Sequence, residues 1–173
     1  MSEPTELCVI GHVAKSVIHS LRYDETLKTI LDTYTPELRT LGDMDWYPVS
    51  RIITALEKIV EVKSVYDASF DMIAIGMAVA AHIPLTNEST FEEYLHGLYA
   101  NIRKVYNDLG KSYAKAEKIE NQHFRIEFNL PWPDDLMYGN YYGHAKRLLP
   151  PRTRFMLSKT RSQKPSVFYV RWF

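Results

Sequence analysis

The sequence predicts an α+β fold, with N-terminal helices packed on a small antiparallel sheet formed by the C-terminal part (strand-helix-strand-strand). Three observations predict it. Apolar residues recur at helical spacing in four stretches between residues 9 and 109. The segment 123–130, HFRIEFNL, then alternates strictly, with Phe124, Ile126, Phe128 and Leu130 on one face and His123, Arg125, Glu127 and Asn129 on the other. Two further strand-like runs, about 153–160 and 166–172, flank the hairpin-type connection RSQKP.

The elements follow in order. Residues 9–32 carry Val13, Val17, Ile18, Leu21, Leu27, Ile30 and Leu31 near i, i+3/i+4 spacing, with a break around Tyr23-Asp24. A second helix begins at Pro48, where a missing N–H costs nothing in a first turn. Val49, Ile52, Ile53, Leu56, Ile59 and Val60 form its apolar stripe. The third helix, about 67–82, is apolar on nearly all sides, so neighbours surround it. Gly76 and the alanines let another backbone come close, and Pro84 stops it. The fourth opens on Ser89-Thr90-Phe91-Glu92, read as a capping box, keeps helical spacing through Leu109 and is capped by Gly110. A short helix, about 140–149, precedes Pro150-Pro151.

Composition narrows the class. The chain has 173 residues, 46 % hydrophobic and 24 % charged, as expected of a globular protein with one domain: a helical part about 9–110 and a sheet part about 117–173. The single cysteine, Cys8, excludes an intrachain disulfide framework and a cysteine-based zinc site, which makes a reducing, cytoplasmic location the default. The acidic N-terminus lacks the basic start of a signal peptide. The longest apolar run, 72–83, is short of the roughly 20 residues a membrane span needs.

Charge is balanced but unevenly placed. Eight of the 21 basic residues follow Asp135, and none of the 21 acidic ones does. Packing of the two segments against each other, or pairing between subunits, accounts for this; the alternative is a basic face for phosphate or another anion, and no nucleic-acid motif accompanies it. The 12 tyrosines combine apolar area with a hydroxyl that needs a partner, which suits core volume, an interface or a semi-polar pocket.

The chain lacks G-x-S-x-G, a P-loop, H-E-x-x-H and G-x-G-x-x-G. His12 and His19 are seven apart, but no third metal ligand accompanies them. His82 sits at a helix C-terminus, and His96 and His144 lie on helices, where a lone histidine is usually structural; the alternative for one of these two is an axial haem ligand. Glu92-Glu93 and Asp134-Asp135 read as helix-start carboxylates that favour the positive end of the dipole.

Three stretches carry a resemblance: DWYPVSRIITALEKIVE (45–61), the IGM helix followed by YLHGLYANIRKVYNDLG, and the ending FRIEFNLPWP, YYGHAKRLLP and SVFYVRW. They resemble the superfamily of H-NOX haem sensor domains, 4-vinyl-reductase-like domains and TRAPP subunits, and look closest to the bacterial vinyl-reductase-like branch. The resemblance spans about 10–173 and implies a pocket between helices and sheet, a homodimer, and a sensor or scaffold rather than an enzyme. Two departures matter. H-NOX domains hold haem propionates with Tyr-x-Ser-x-Arg, whereas Tyr47-Pro-Val-Ser50-Arg51 is off by one residue at each step, and no proximal histidine matches. The final hairpin also lacks the cysteine that vinyl-reductase-like domains often carry there.

The expectation is therefore a non-enzymatic ligand-binding sensor with a small hydrophobic pocket. The alternatives are a homodimeric interaction module and a tetrapyrrole carrier or enzyme. No metal and no cofactor are expected, haem and other tetrapyrroles being disfavoured. A small hydrophobic molecule and a second copy are the expected partners, with no nucleic acid and no membrane span. Trp46, Tyr47, Ile52, Met77, Tyr99, Phe124 and Tyr142 are the candidate pocket residues.

Overall fold

The computed structural model describes residues 6–19, 25–63, 65–83, 90–160 and 164–173. The break expected at Tyr23-Asp24, the stop at Pro84 and most of the RSQKP connection lie outside these residues. The elements are β1 (Cys8–Ile10), α1 (Gly11–His19), α2 (Glu25–Tyr34), a 3-10 turn (Pro36–Arg39), β2 (Trp46–Pro48), α3 (Val49–Val62), α4 (Val65–His82), α5 (Phe91–His96), α6 (Leu98–Val105), β3 (Tyr113–Glu120), β4 (His123–Asn129), α7 (Asp134–Leu148), β5 (Phe155–Lys159) and β6 (Ser166–Trp172).

The α+β reading holds. Four antiparallel strands lie in the order β3-β4-β6-β5, and β1 pairs with β2 in a separate two-stranded sheet. The alternation of β4 does what the sequence implied. Phe124, Ile126 and Phe128 are fully buried, and Phe124 and Ile126 pair with Val170 and Phe168 of β6 on the same face. Burying each such side chain contributes about 1.5–3 kcal/mol.

Several boundaries differ from the sequence reading. Residues 8–10 form β1, because Val9 pairs with Tyr47 and the helix starts only at Gly11. The long fourth helix is divided at Gly97 and ends at Val105, so Gly110 (φ 51°) serves a turn instead of a helix cap. The capping box is formed one residue later than expected. Thr90 Oγ1 accepts from the Glu93 amide at 3.2 Å, and the Thr90 amide donates to Glu93 Oε2 at 3.0 Å. The last helix starts at Asp134 rather than near 140, with Pro133 as N-cap and both aspartates in its first turn.

Those aspartates also explain part of the charge asymmetry. Asp134 accepts from Lys164 Nζ at 3.0 Å and Ser166 Oγ at 2.6 Å, and Asp135 pairs with Lys159. The basic C-terminal hairpin is thereby tied to the start of α7.

Helices α4 and α7 cross at backbone distance. A Cβ added to Gly76 would lie 1.9 Å from the Leu136 carbonyl oxygen, and one added to Gly139 would lie 2.0 Å from that of Ile73. The small-residue reading of the third helix thus has its reason in α7.

On the outer sheet face, Glu127 accepts from Tyr113 Oη and from Arg125 Nη1 at 2.8 Å, with Lys115 Nζ at 3.4 Å. These partners, Tyr113 foremost and then Arg125, pull its pKa from 4.5 down to about 2. A carboxylate depressed in this way stabilises the fold above its unfolded pKa and loses that contribution as pH falls. Urea midpoints should therefore drop between about pH 4.5 and pH 2, and Glu127→Gln should flatten the slope across that window. Parallel slopes for the two proteins would contradict this.

Candidate functional site

A cavity of about 100 Å³ lies between the helices and the inner face of the sheet. Val13 and Val17 of α1, Val79 and Ile83 at the end of α4, and Leu98, Ile102 and Val105 of α6 make its apolar wall. Ala114 and Phe128 floor it, and Leu130 and Trp132 close it from the β4–α7 connection. Tyr94, Tyr106, Asn101, Asn140, Tyr141 and His144 bring polar groups to this lining.

The principal polar groups arrive from three places. Tyr94 is on α5, directly after Glu93 of the capping box. Tyr106 follows α6, where its backbone bridges to Val9 of β1 and Asn107 ties the same strand through Cys8. Asn140, Tyr141 and His144 lie on α7. His144 is four residues beyond the first and three beyond the second, so the three share one face.

Trp132 Nε1 donates to Tyr106 Oη at 2.6 Å, and both side chains are buried. Burial drives the Tyr106 phenol above its ordinary range, so it stays neutral. The His144 ring, 1 % exposed, stacks on Tyr94 with centroids 4.3 Å apart. Its Nδ1 lies 3.0 Å from the Asn140 carbonyl oxygen. A carbonyl only accepts, so Nδ1 carries the proton and a neutral ring has its lone pair on Nε2.

Tyr141 differs from these groups. It is 1 % exposed, and its hydroxyl has no hydrogen-bond partner among the described residues. Burial first, then the neighbouring Tyr94 and Tyr106 phenols, raise its pKa well above the ordinary value. The hydroxyl is therefore a neutral donor in an apolar wall. An unpaired buried hydroxyl costs about 1–3 kcal/mol. Tyr141→Phe should thus raise the thermal midpoint of the ligand-free protein by a few degrees. A lowered midpoint would show that the hydroxyl is already satisfied.

None of the seven residues singled out from the sequence lines this cavity. Trp46 is 48 % exposed on β2, and Met77 and Tyr99 are 39 % and 50 % exposed on helices. Ile52 and Phe124 are fully buried core residues, with Phe124 stacked on Trp172. Tyr142 lies against Phe155, whereas its neighbour Tyr141 lines the cavity. Tyr47 is buried with its hydroxyl donating to Glu37 Oε2 at 3.3 Å.

The Tyr47/Ser50/Arg51 set is occupied by the chain's own carboxylates. Arg51 Nη1 donates to Glu37 Oε1, and Ser50 Oγ donates to Glu6 Oε1 at 2.6 Å. Glu37 is held below the usual carboxylate range by its own backbone amide first and then by Arg51. Among the described residues no cluster of three His, Cys, Asp or Glu could hold a metal ion, and no helix is long and apolar enough to cross a membrane.

No protein-family model matches the sequence, and no curated protein matches it. Solved structures do match. An H-NOX protein from S. oneidensis in the Fe(II)NO ligation state aligns with TM-score 0.71 over 95 % of this chain and 99 % of that one, at 10 % identity. A point variant of Tt H-NOX gives 0.68 over 94 % and 93 %, at 13 % identity. An oxygen-binding H-NOX domain related to soluble guanylate cyclases gives 0.67 over 94 % of each, at 11 % identity. The fold is the H-NOX fold.

This result corrects the expectation that no cofactor is needed and that haem is disfavoured. Among the H-NOX structures matched are proteins described in Fe(II) and Fe(II)NO ligation states, and others studied for heme distortion and heme redox potential. Haem thus has direct precedent within the fold, while Tyr47, Ser50 and Arg51 lie outside the cavity and supply no propionate contact to it.

The residues present meet one requirement of such a group and leave another open. His144 brings an imidazole to the cavity lining. The space, about 100 Å³, is below the roughly 300–1,000 Å³ of small-molecule sites, so the lining as it stands does not admit a macrocycle.

Proposed function

We propose that this chain is a non-catalytic sensor domain that holds its ligand in the cavity between α1, α4, α6, α7 and the sheet. The observation that carries this reading is the cavity itself, apolar on most sides and supplied with a buried imidazole and an unpaired buried hydroxyl, His144 and Tyr141. Ligand sites have this make-up: apolar walls and few, placed polar groups. The H-NOX fold supports the same reading. Haem is tested because solved H-NOX structures share this fold, and His144 is the described imidazole that would hold it, although the uncharged lining of about 100 Å³ suits a smaller neutral molecule. When bound, haem would supply an iron centre for a diatomic gas.

The vinyl-reductase-like placement, a cytoplasmic location and a homodimer remain parts of this reading that rest on the sequence patterns alone. The DWYP helix start supports the first and the single cysteine the second, and the homodimer rests on the family resemblance alone.

Native mass spectrometry and an absorption scan test the proposal. The protein should carry, or take up from added hemin or small apolar molecules, a non-covalent ligand that is released on unfolding. His144→Ala should weaken uptake of hemin if the iron is held there. A protein that takes up none of these molecules would overturn the reading.

A further inference from the structure

Resting on the reading that this cavity is the ligand site, the geometry points to a ligand class: a small neutral molecule that offers a single hydrogen-bond acceptor to the hydroxyl of Tyr141. Three observations carry this.

The first is size. The cavity of about 100 Å³ is smaller than an engineered apolar cavity of about 150 Å³ that holds benzene. It therefore suits a compact molecule of about four non-hydrogen atoms.

The second is charge. No Asp, Glu, Lys or Arg lines the cavity. A charged ligand would lose its hydration there without a counter-ion, at a cost far above what apolar contact returns. A neutral ligand loses little.

The third is the pattern of satisfied groups. The Trp132 indole N–H is already given to Tyr106, and His144 Nδ1 is already placed on the Asn140 carbonyl. Among the described residues, the buried side-chain polar atoms with no partner are Tyr141 Oη and His123 Nδ1, and His123 is not in the cavity lining. One buried donor in this lining thus has no partner among the described residues, and it calls for one from outside the chain. An apolar molecule of the same shape leaves the hydroxyl unpaired, whereas a carbonyl or ether oxygen satisfies it.

Acetone and 2-methylpropene test this pair-wise, because they differ only in C=O against C=CH₂. Each is titrated into the whole protein and into Tyr141→Phe, with affinity read from the NMR shifts of the Trp132 indole N–H and the Tyr141 and His144 ring signals. Circular dichroism checks that the variant is folded. The ratio of ketone to hydrocarbon affinity should be about tenfold higher for the native protein than for Tyr141→Phe, because desolvation of each probe is common to the two proteins.

The same ratio in the native protein and in Tyr141→Phe would overturn the inference. Failure of both probes to bind would do the same. Hemin is titrated in parallel. Uptake of hemin with an imidazole-type spectrum that is lost in His144→Ala, while the ketone shows no preference, would overturn the small-ligand inference and leave the sensor reading standing. Failure of all three molecules would remove both.

Discussion

Gly139→Val is expected to leave no stably folded protein, and Gly139→Ala to cost about 3 kcal/mol or more. The reason is the contact made at the α4–α7 crossing. A Cβ at Gly139 would lie 2.0 Å from the Ile73 carbonyl oxygen and 2.8 Å from its carbon. Both atoms are backbone, so no side chain can rotate away and the helices must separate. Separation would expose Ile75 and Leu136, which are buried on the two helices. With total stabilities of about 5–15 kcal/mol, a loss of this size is a large share. The urea midpoint checks it. Gly110→Ala is the useful contrast: Gly110 has φ 51° but nothing within 4 Å of a new Cβ, so only the left-handed backbone cost of about 1–2 kcal/mol applies. Similar midpoints for Gly139→Ala and the native protein would mean that the two helices do not approach as described.

Trp132→Ala is the second large effect, expected at about 3–5 kcal/mol. Trp132 is 3 % exposed and closes the cavity from the β4–α7 connection. Its loss removes a large apolar surface, leaves Tyr106 Oη without its indole donor and joins the space of the side chain to the cavity. Trp132→Phe keeps much of the volume and should cost less, mainly the lost hydrogen bond, about 1–2 kcal/mol. The two variants therefore separate packing from hydrogen bonding. Equal losses in both would assign the effect to the hydrogen bond alone.

The fold was legible where burial is one-sided. In β4 each inward position is a large apolar residue and each outward one polar, so its period of two is plain. Strand β3, YAKAEKIE, was missed because it is an edge strand whose inward residues include the small Ala114 and Ala116 and whose outer face is charged. Helix α3 was legible from its stripe, with Val49, Ile52, Ala55, Leu56 and Ile59 buried.

The site was much less legible. Helix α7 is surrounded by α4, α5 and β5, so Tyr141, His144 and Ala145 are buried with no polar side to reveal a stripe. Placing the helix start near 140 instead of Asp134 hid the first turns that carry Leu136 and Met137 into the cavity. The choice of Tyr142 over Tyr141 is the smallest form of the same displacement, because on a helix adjacent residues face different ways. Trp132 did leave a signal: an aromatic held between Pro131 and Pro133 just before a helix start is a rigid placement. The Trp46-Tyr47-Pro48 stretch drew attention away from this cavity. Its residues start a helix and pair with β1, while Glu37 and Glu6 take the hydrogen-bonding groups of Tyr47 and Ser50.

The central claim is that the cavity beneath Trp132 is where this domain holds its ligand. A crystal structure of the protein exposed to hemin and, separately, to acetone tests it most directly. The expected result is ligand density bounded by Leu98, Trp132, Tyr141 and His144 in at least one of the two. Density for neither molecule in that cavity would contradict it.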